Sequence, residues 1–161
     1  MNRKYNCDFF LDKVNKIRSV RPNISITTDV IVGFPYETDE EFIECVDFIK
    51  KVNFSELHVF PFSPRSGTPA MNMPKVNDTV KKNRVKELIS LSEELNIKYS
   101  ESFIGKQLNV IVETVYDERY MVGHSSNYLH VLIPLDSTKI GKMVDVRIVC
   151  REGKYMLAEM I

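Results

Sequence analysis

The chain has no tryptophan and only three cysteines, Cys7, Cys45 and Cys150, in 161 residues. They are odd in number and far apart, and no two have CxxC spacing. The chain therefore offers neither a disulfide framework nor a zinc or iron–sulfur cradle of its own, and a reducing compartment fits best. It also lacks an excess of either charge, with 22 Lys and Arg against 22 Asp and Glu. The balance holds locally: fifteen bases and fifteen acids in residues 1–102, seven of each in residues 103–161. Nothing global advertises nucleic acid, membrane or an acidic partner, so any RNA binding has to come from a local patch. No window is apolar enough and long enough to span a bilayer, and the start, MNRKYNCDFF, has no signal-peptide architecture. The expectation is a cytoplasmic protein with no membrane partner. Phosphate loops are missing as well, since neither GxGxxG nor GxxxxGK(S/T) occurs.

What is present, at 43% hydrophobic residues, suffices for a packed core, and its patterning divides the chain into two unlike halves. Asp8 is placed to cap a helix with Phe10, Val14 and Ile17 at helical spacing, ending before Pro22. Ile24 to Val32 is a strand rich in β-branched residues. Thr38 opens a second helix, Glu41 completes a capping box, and Phe42, Val46 and Ile49 form the inward stripe. Leu57 to Phe60 reads as the next strand, giving a βαβ unit with parallel strands. After the loop PFSPRSGTPAMNMP, a long charged helix begins near Asp78 with Val80, Leu88, Leu91 and Leu95 on one face. Its basic start, Lys81, Lys82, Arg84 and Lys86, reads as a solvated face or as a nucleic-acid contact. From Gly105 onward apolar and polar residues alternate at Leu108, Val110 and Val112, at Leu129, Val131 and Ile133, and at Val144, Val146 and Ile148. Turn signals YDER, HSSN, LDSTKIGK and REGK separate them. Four or five short strands with no helix point to a small antiparallel barrel of OB-like size.

One residue sits oddly in this pattern. Parallel strands are usually buried on both faces, yet Asp29 interrupts the run ISITTDVIVGFP shortly before Gly33. A carboxylate there either finds hydrogen bonds or a basic neighbour inside the sheet to offset desolvation, or faces a ligand beyond the strand's carboxyl end. The strand alone leaves both open. Gly33, followed by Phe34 and Pro35, permits a sharp turn and close approach to a bound molecule.

TTDVIVGFPYETDEEF resembles the TDxIVGFPGET motif of the radical S-adenosylmethionine methylthiotransferases. HVFPFSPRSGTPA is similar to their YSxRxGTxA segment, and MNRKY to the MxRxY that follows the family's fourth barrel strand. The tail, GKQLNVIVE through GHSSNYLHVLIP, resembles the TRAM domain that ends these proteins and binds tRNA. The HVFPFS wording is most like the branch acting on threonylcarbamoyladenosine beside the anticodon. The isopentenyladenosine and ribosomal-protein branches, and a catalytically inert RNA-binding module, are the alternatives. The resemblance implies an α/β fold: the C-terminal part of a partial (β/α) radical SAM barrel over 1–77, a connecting helix over 78–104, and a small antiparallel all-β TRAM barrel over 105–161. It implies S-adenosylmethionine as cofactor, tRNA as partner, and methylthio insertion at C2 of the adenine. It also implies 4Fe-4S clusters whose CxxxCxxC ligands lie outside this chain, in a missing N-terminal part of the same enzyme. The chain alone is then expected to be inactive, and its exposed sheet edge to invite pairing with a second copy.

Carried onto these positions, the resemblance makes Asp29 and Gly33 candidates for positioning the cofactor, with Glu37 and Thr38 beside them; a helix cap accounts for those two as well. Val59 and Phe60 are candidates for an adenine contact, where core packing explains Phe60 equally. Arg3 and Arg65 each offer a rigid fork for the cofactor carboxylate or a tRNA phosphate, or else make a surface salt bridge. Tyr36 stands where the family usually has glycine, so a positive φ there strains the tyrosine or remodels the turn. In the tail, the RNA-binding candidates are Asn127 and Tyr128 at the HSSN turn and Arg147, Arg151 and Lys154 around REGK. Aromatics stack bases and cations meet phosphates, and Tyr116, Tyr120, His124, His130 and Arg119 are interleaved with this set.

Overall fold

The computed structural model describes residues 4–161; Arg3 lies outside them. The chain divides into two compact units, residues 1–96 and 97–161.

In the first unit, α1 (Cys7–Val20) starts two residues earlier than a cap at Asp8 implies. Asn6 is the cap, its Oδ1 accepting from the Phe9 N–H at 2.9 Å, and Asp8 lies in the first turn, where its charge suits the helix dipole. β1 (Thr27–Val32) leads to α2 (Asp39–Val52), and β2 (Glu56–Pro61) pairs with β1 in parallel, Asp29 opposite His58 and Ile31 opposite Phe60. The capping box at Thr38 and Glu41 is present. Asn53 ends α2 in the left-handed region, and Arg18 on α1 donates to the Val52 and Asn53 carbonyls, satisfying acceptors that a helix C-terminus leaves open. The long helix α3 (Asp78–Glu101) follows a short 3₁₀ turn at Pro69–Asn72.

One face of the β1–β2 sheet is covered. Val14 from α1, Phe42, Val46, Ile49 and Val52 from α2, and Leu88, Leu91 and Leu95 from α3 pack on Val32 and Leu57. Burying each of these side chains is worth about 1.5–3 kcal/mol. Val80, expected in the stripe of α3, is instead exposed, and half-buried Val85 joins the core. The other face is bare: Thr27, Asp29 and Ile31 on β1, and Glu56, His58 and Phe60 on β2, are all exposed. Of the two readings open for Asp29, the structure does not bury it inside the sheet, because only one side of this parallel sheet is covered within the described residues.

The second unit is a closed barrel of β3 (Gln107–Val115), β4 (Tyr120–Ser125), β5 (His130–Pro134), β6 (Met143–Glu152) and β7 (Tyr155–Met160), in the order β3-β4-β5-β7-β6. Alternation places Val110, Val112, Met121, Val131, Ile133, Val146, Ile148, Met156 and Ala158 inside, with Phe103 among them. The all-antiparallel expectation needs one correction: β5 and β7 pair in parallel, and it is this contact that closes the sheet. Bulges near Val112 and near Ile148 supply the bending that closure needs. Gly123 is required for a different reason: a Cβ there would lie 2.1 Å from the Ile111 carbonyl oxygen, so only glycine lets β3 and β4 approach so closely.

Candidate functional site

At the carboxyl ends of β1 and β2 the bare sheet face forms the floor of a cavity of about 620 Å³, lined by Asp29, Ile31, Phe34, Phe60, Phe62 and Arg65 among others. The chain builds it locally. The Phe62 N–H donates to the Val32 carbonyl at 2.8 Å, extending the strand pairing, and the Phe34 and Phe62 rings meet edge to face with centroids 5.2 Å apart. The wall carrying Arg65 is a tight turn. The Thr68 hydroxyl donates to the Arg65 carbonyl at 2.7 Å, and Gly67 takes φ +81°, a conformation glycine adopts without strain. Neither the Asp29 carboxylate nor the Arg65 guanidinium forms a salt bridge or side-chain hydrogen bond among the described residues. The structure thus brings Asp29, Phe60 and Arg65 together around one cavity, with a carboxylate, a ring and a guanidinium available to a ligand.

Gly33 and Glu37 are not among the residues lining that cavity; they are joined to each other in the turn that follows β1. Gly33 turns the chain at φ +74°, and its N–H donates to Glu37 Oε2 at 2.8 Å. The same oxygen accepts from Arg84 Nη1 at 2.5 Å, while Arg84 Nη2 donates to Asp39 Oδ1 at 2.6 Å. Arg84 is only 5% exposed, its guanidinium sits 5.1 Å from the Phe42 ring centre, and its Nε has no hydrogen-bond partner among the described residues. Burial works against the cation, but the hydrogen bonds and charges of Asp39 and Glu37 outweigh it and hold the guanidinium above its ordinary value. The reading of Arg84 as part of a solvated or nucleic-acid-facing basic patch is therefore corrected: it clamps the Gly33 turn and the start of α2 onto α3. Its spacing gave a usable sign, since Arg84, Leu88, Leu91 and Leu95 share one stripe of the helix. Tyr36 stands at φ +67° with its ring exposed, the strained alternative of the two posed for it.

On the barrel, two of the five RNA-binding candidates, Asn127 and Arg147, stand apart from the others. Tyr128 is 79% exposed at φ +64°. Asn127 is engaged internally, accepting from the Ser125 hydroxyl at 2.6 Å and donating to the Tyr99 hydroxyl at 3.1 Å. Arg147 lies between Gln107 and Glu159 on neighbouring strands. Arg151 and Lys154 flank the β6–β7 hairpin, Lys154 Nζ resting 5.2 Å from the Tyr155 ring centre. Glu159 is four residues from Tyr155, about 13 Å at strand rise, so Arg147 stands apart from that hairpin. What the sequence reading missed is a line of rings across the strands. Tyr116 meets Tyr155 at 5.1 Å, Tyr155 meets His130 at 6.1 Å and His130 meets His124 at 4.1 Å, centroid to centroid. His124 Nε2 faces His130 Nε2 at 3.3 Å, and its Nδ1 lies 2.7 Å from Glu113 Oε1.

Cysteine chemistry adds nothing to either surface. Cys7 and Cys150 are exposed and Cys45 is half-buried; burial first, then Glu37 and Cys7 nearby, push the Cys45 thiol up, away from thiolate character. No group of three or more His, Cys, Asp and Glu side chains suited to a metal ion occurs among the described residues. None of the helices there is long and apolar enough to cross a membrane.

Comparison with known proteins gives these two surfaces a context. Residues 101–161 match the TRAM domain. Over 153 residues, 92% of its length, the chain is 44% identical to the threonylcarbamoyladenosine tRNA methylthiotransferase of Bacillus subtilis, covering 34% of that protein. Its identity to the tRNA-2-methylthio-N(6)-dimethylallyladenosine synthase of Thermoanaerobacter pseudethanolicus is 37% over the whole chain and 35% of the relative. To the threonylcarbamoyladenosine tRNA methylthiotransferase of Thermotoga maritima it is 38% over 92% of the chain and 34% of the relative. The chain thus spans about a third of the length of the curated relatives it matches. Residues 101–161 are a TRAM domain, on a chain related along nearly its whole length to the tRNA methylthiotransferases.

Proposed function

We propose that this chain is the C-terminal part of a radical S-adenosylmethionine tRNA methylthiotransferase acting at C2 of N6-threonylcarbamoyladenosine beside the anticodon. In this reading residues 1–77 complete the end of a partial (β/α) barrel, 78–104 connect, and 105–161 bind tRNA. The observation that carries it is the bare face of the β1–β2 sheet, where Asp29, Phe60 and Arg65 surround one cavity. A parallel sheet left open on one side is what the inner wall of a barrel looks like when the remaining strands belong to another segment. The cavity is of a size that small cofactors use, and its groups suit S-adenosylmethionine: Arg65 pairs with the aminoacid carboxylate, Asp29 with the ammonium or sulfonium, and Phe60 lies against the adenine. Bound there, the cofactor supplies the radical-generating and methyl-donating chemistry. This chain orients it and excludes water, while Arg84 and Glu37 keep the Gly33 turn in shape. The 4Fe-4S clusters would be held by ligands outside the chain, whose own thiols are too dispersed to hold one. The HVFPFS segment and the 44% identity to the Bacillus subtilis relative favour the threonylcarbamoyl branch.

Calorimetry tests the site directly. The chain should bind S-adenosylmethionine and not ATP, and Arg65→Ala should weaken binding at least tenfold. ATP binding as tight as that of S-adenosylmethionine, or heat unchanged in Arg65→Ala, would remove this reading and leave an RNA-binding module. Reconstitution with iron and sulfide should give no stoichiometric thiolate-cluster absorption, since the chain lacks the ligand set.

A further inference from the structure

We propose that the line of rings from His124 through His130 and Tyr155 to Tyr116 is the surface on which the barrel stacks unpaired RNA bases. This rests on the RNA-binding reading of the TRAM domain and goes further by naming the surface. The strand order β3-β4-β5-β7-β6 corresponds to first, second, third, fifth and fourth strands of an OB-like barrel. In such barrels oligonucleotides lie on the second and third strands and between the loops joining the first to the second and the fourth to the fifth. Here those strands are β4 and β5, whose directly opposed His124 and His130 face each other. The two loops are residues 116–119, with Tyr116, and the β6–β7 hairpin, with Lys154 and then Tyr155. Four rings from four separate chain segments therefore converge where the architecture places a ligand.

The occupant is single-stranded RNA rather than a protein or a duplex. Stacking platforms for unpaired bases are built from Tyr and His rings with cations at their margins, and a paired helix hides its base faces. Cations stand at both loops: Lys154 against Tyr155 at 5.2 Å and Arg119 against Tyr120 at 5.5 Å. Of the carboxylates near the line, Glu113 is engaged with His124 Nδ1, which fixes the ring's orientation, and Asp117 accepts from the Arg119 and Tyr120 N–H groups. Exposed Glu118 and Glu152 stand beside the cations of the two loops. The rings themselves are imidazoles and phenols, each with a polar edge for a base or a phosphate beside its stacking face.

The test uses the full chain and a fluorescein-labelled unstructured oligoadenylate. Tyr155→Ala and His130→Ala should each weaken binding about 5- to 160-fold, the range for removing one aromatic side chain that stacks a base, whereas Tyr155→Phe should bind like the wild type. A duplex RNA of equal length should compete poorly. An independent measurement needs no variant: of the three histidines, the ring signals of His124 and His130 should move on adding oligoadenylate while that of His58 stays. Wild-type binding that leaves both ring signals and the alanine variants' affinities unchanged would overturn this surface while RNA binding survives. No binding of any RNA by the wild type would overturn the RNA-binding reading and this inference with it.

Discussion

Residues 1–96 and 97–161 are each organised around a sheet, one open and one closed. In the first, β1 and β2 stand as a parallel pair with helices on one face only, leaving Ile31 at 40% and Phe60 at 50% exposure on the other. In the second, five strands close into a barrel, so that no edge remains to be capped. The shorter segment is thus the more self-sufficient. The difference teaches where binding is to be sought in each: on the uncovered inner face of the open sheet, and on the outward side chains of the closed one. It also predicts that damage in one unit stays there.

Gly123 gives the sharpest test of that separation. Gly123→Ala puts a Cβ 2.1 Å from the Ile111 carbonyl oxygen, and backbone on both sides cannot yield as a flexible side chain would. The barrel should lose about 3 kcal/mol or more, at or above the usual range for overpacking. Native-state hydrogen exchange should show protection falling across β3 to β7 and unchanged in β1 and β2. Equal losses in both units would mean that they unfold as one body.

Arg84→Met breaks the other side of the comparison. It leaves the half-buried Glu37 carboxylate without its cation, which costs about 3 kcal/mol when a buried pair loses one member, although exposed Asp39 contributes little. Exchange should rise at Gly33 and the first turn of α2 and stay unchanged in the barrel. A loss below about 1 kcal/mol, the level of a surface pair, would show that the clamp is dispensable.

Why Arg84 escaped the sequence reading, while its neighbours did not, is physical. Thr38 and Glu41 announce a cap through local chemistry, and Leu88, Leu91 and Leu95 announce a face through spacing, so α2, α3 and the alternating barrel strands were legible. Arg84 sits in a run of four cations, where composition suggests solvent and only position on the stripe suggests burial. Asp29 stays ambiguous in the sequence for the opposite reason. A mostly apolar strand looks doubly buried, and whether its second face is covered depends on what packs there, which the strand itself does not encode. The cavity triad came from motif resemblance, and its convergence depends on the turn that Thr68 and Gly67 hold. The ring line was hidden because His124, His130, Tyr155 and Tyr116 become neighbours through strand register, including the parallel β5–β7 contact that the alternation pattern does not reveal.

Two turns in the two units allow a finer comparison, with smaller effects. Gly33→Ala should destabilise the first unit by about 1–2 kcal/mol, the cost of a left-handed conformation for a residue with a Cβ. Lys81 Cγ, 2.7 Å from the added atom, can move aside because it belongs to a flexible chain. Thermal denaturation of the variant reads this directly.

Tyr36 and Tyr128 should respond with the opposite sign. Each carries a side chain at positive φ, +67° and +64°, and each is exposed, at 65% and 79%, so little packing is lost when the ring is removed. Replacement by glycine relieves about 1–2 kcal/mol of left-handed strain and returns about 0.5–1 kcal/mol through the freer unfolded chain. Tyr36→Gly and Tyr128→Gly should therefore each raise stability by roughly 0.5–1 kcal/mol, the first in the open unit and the second in the barrel, as read by urea denaturation. The functional readouts then separate them. Tyr36→Gly should leave oligoadenylate binding untouched, while Tyr128→Gly should weaken it if the exposed ring extends the line of stacked bases. A loss of stability in either variant would mean that its ring makes a contact worth more than the strain it sits in.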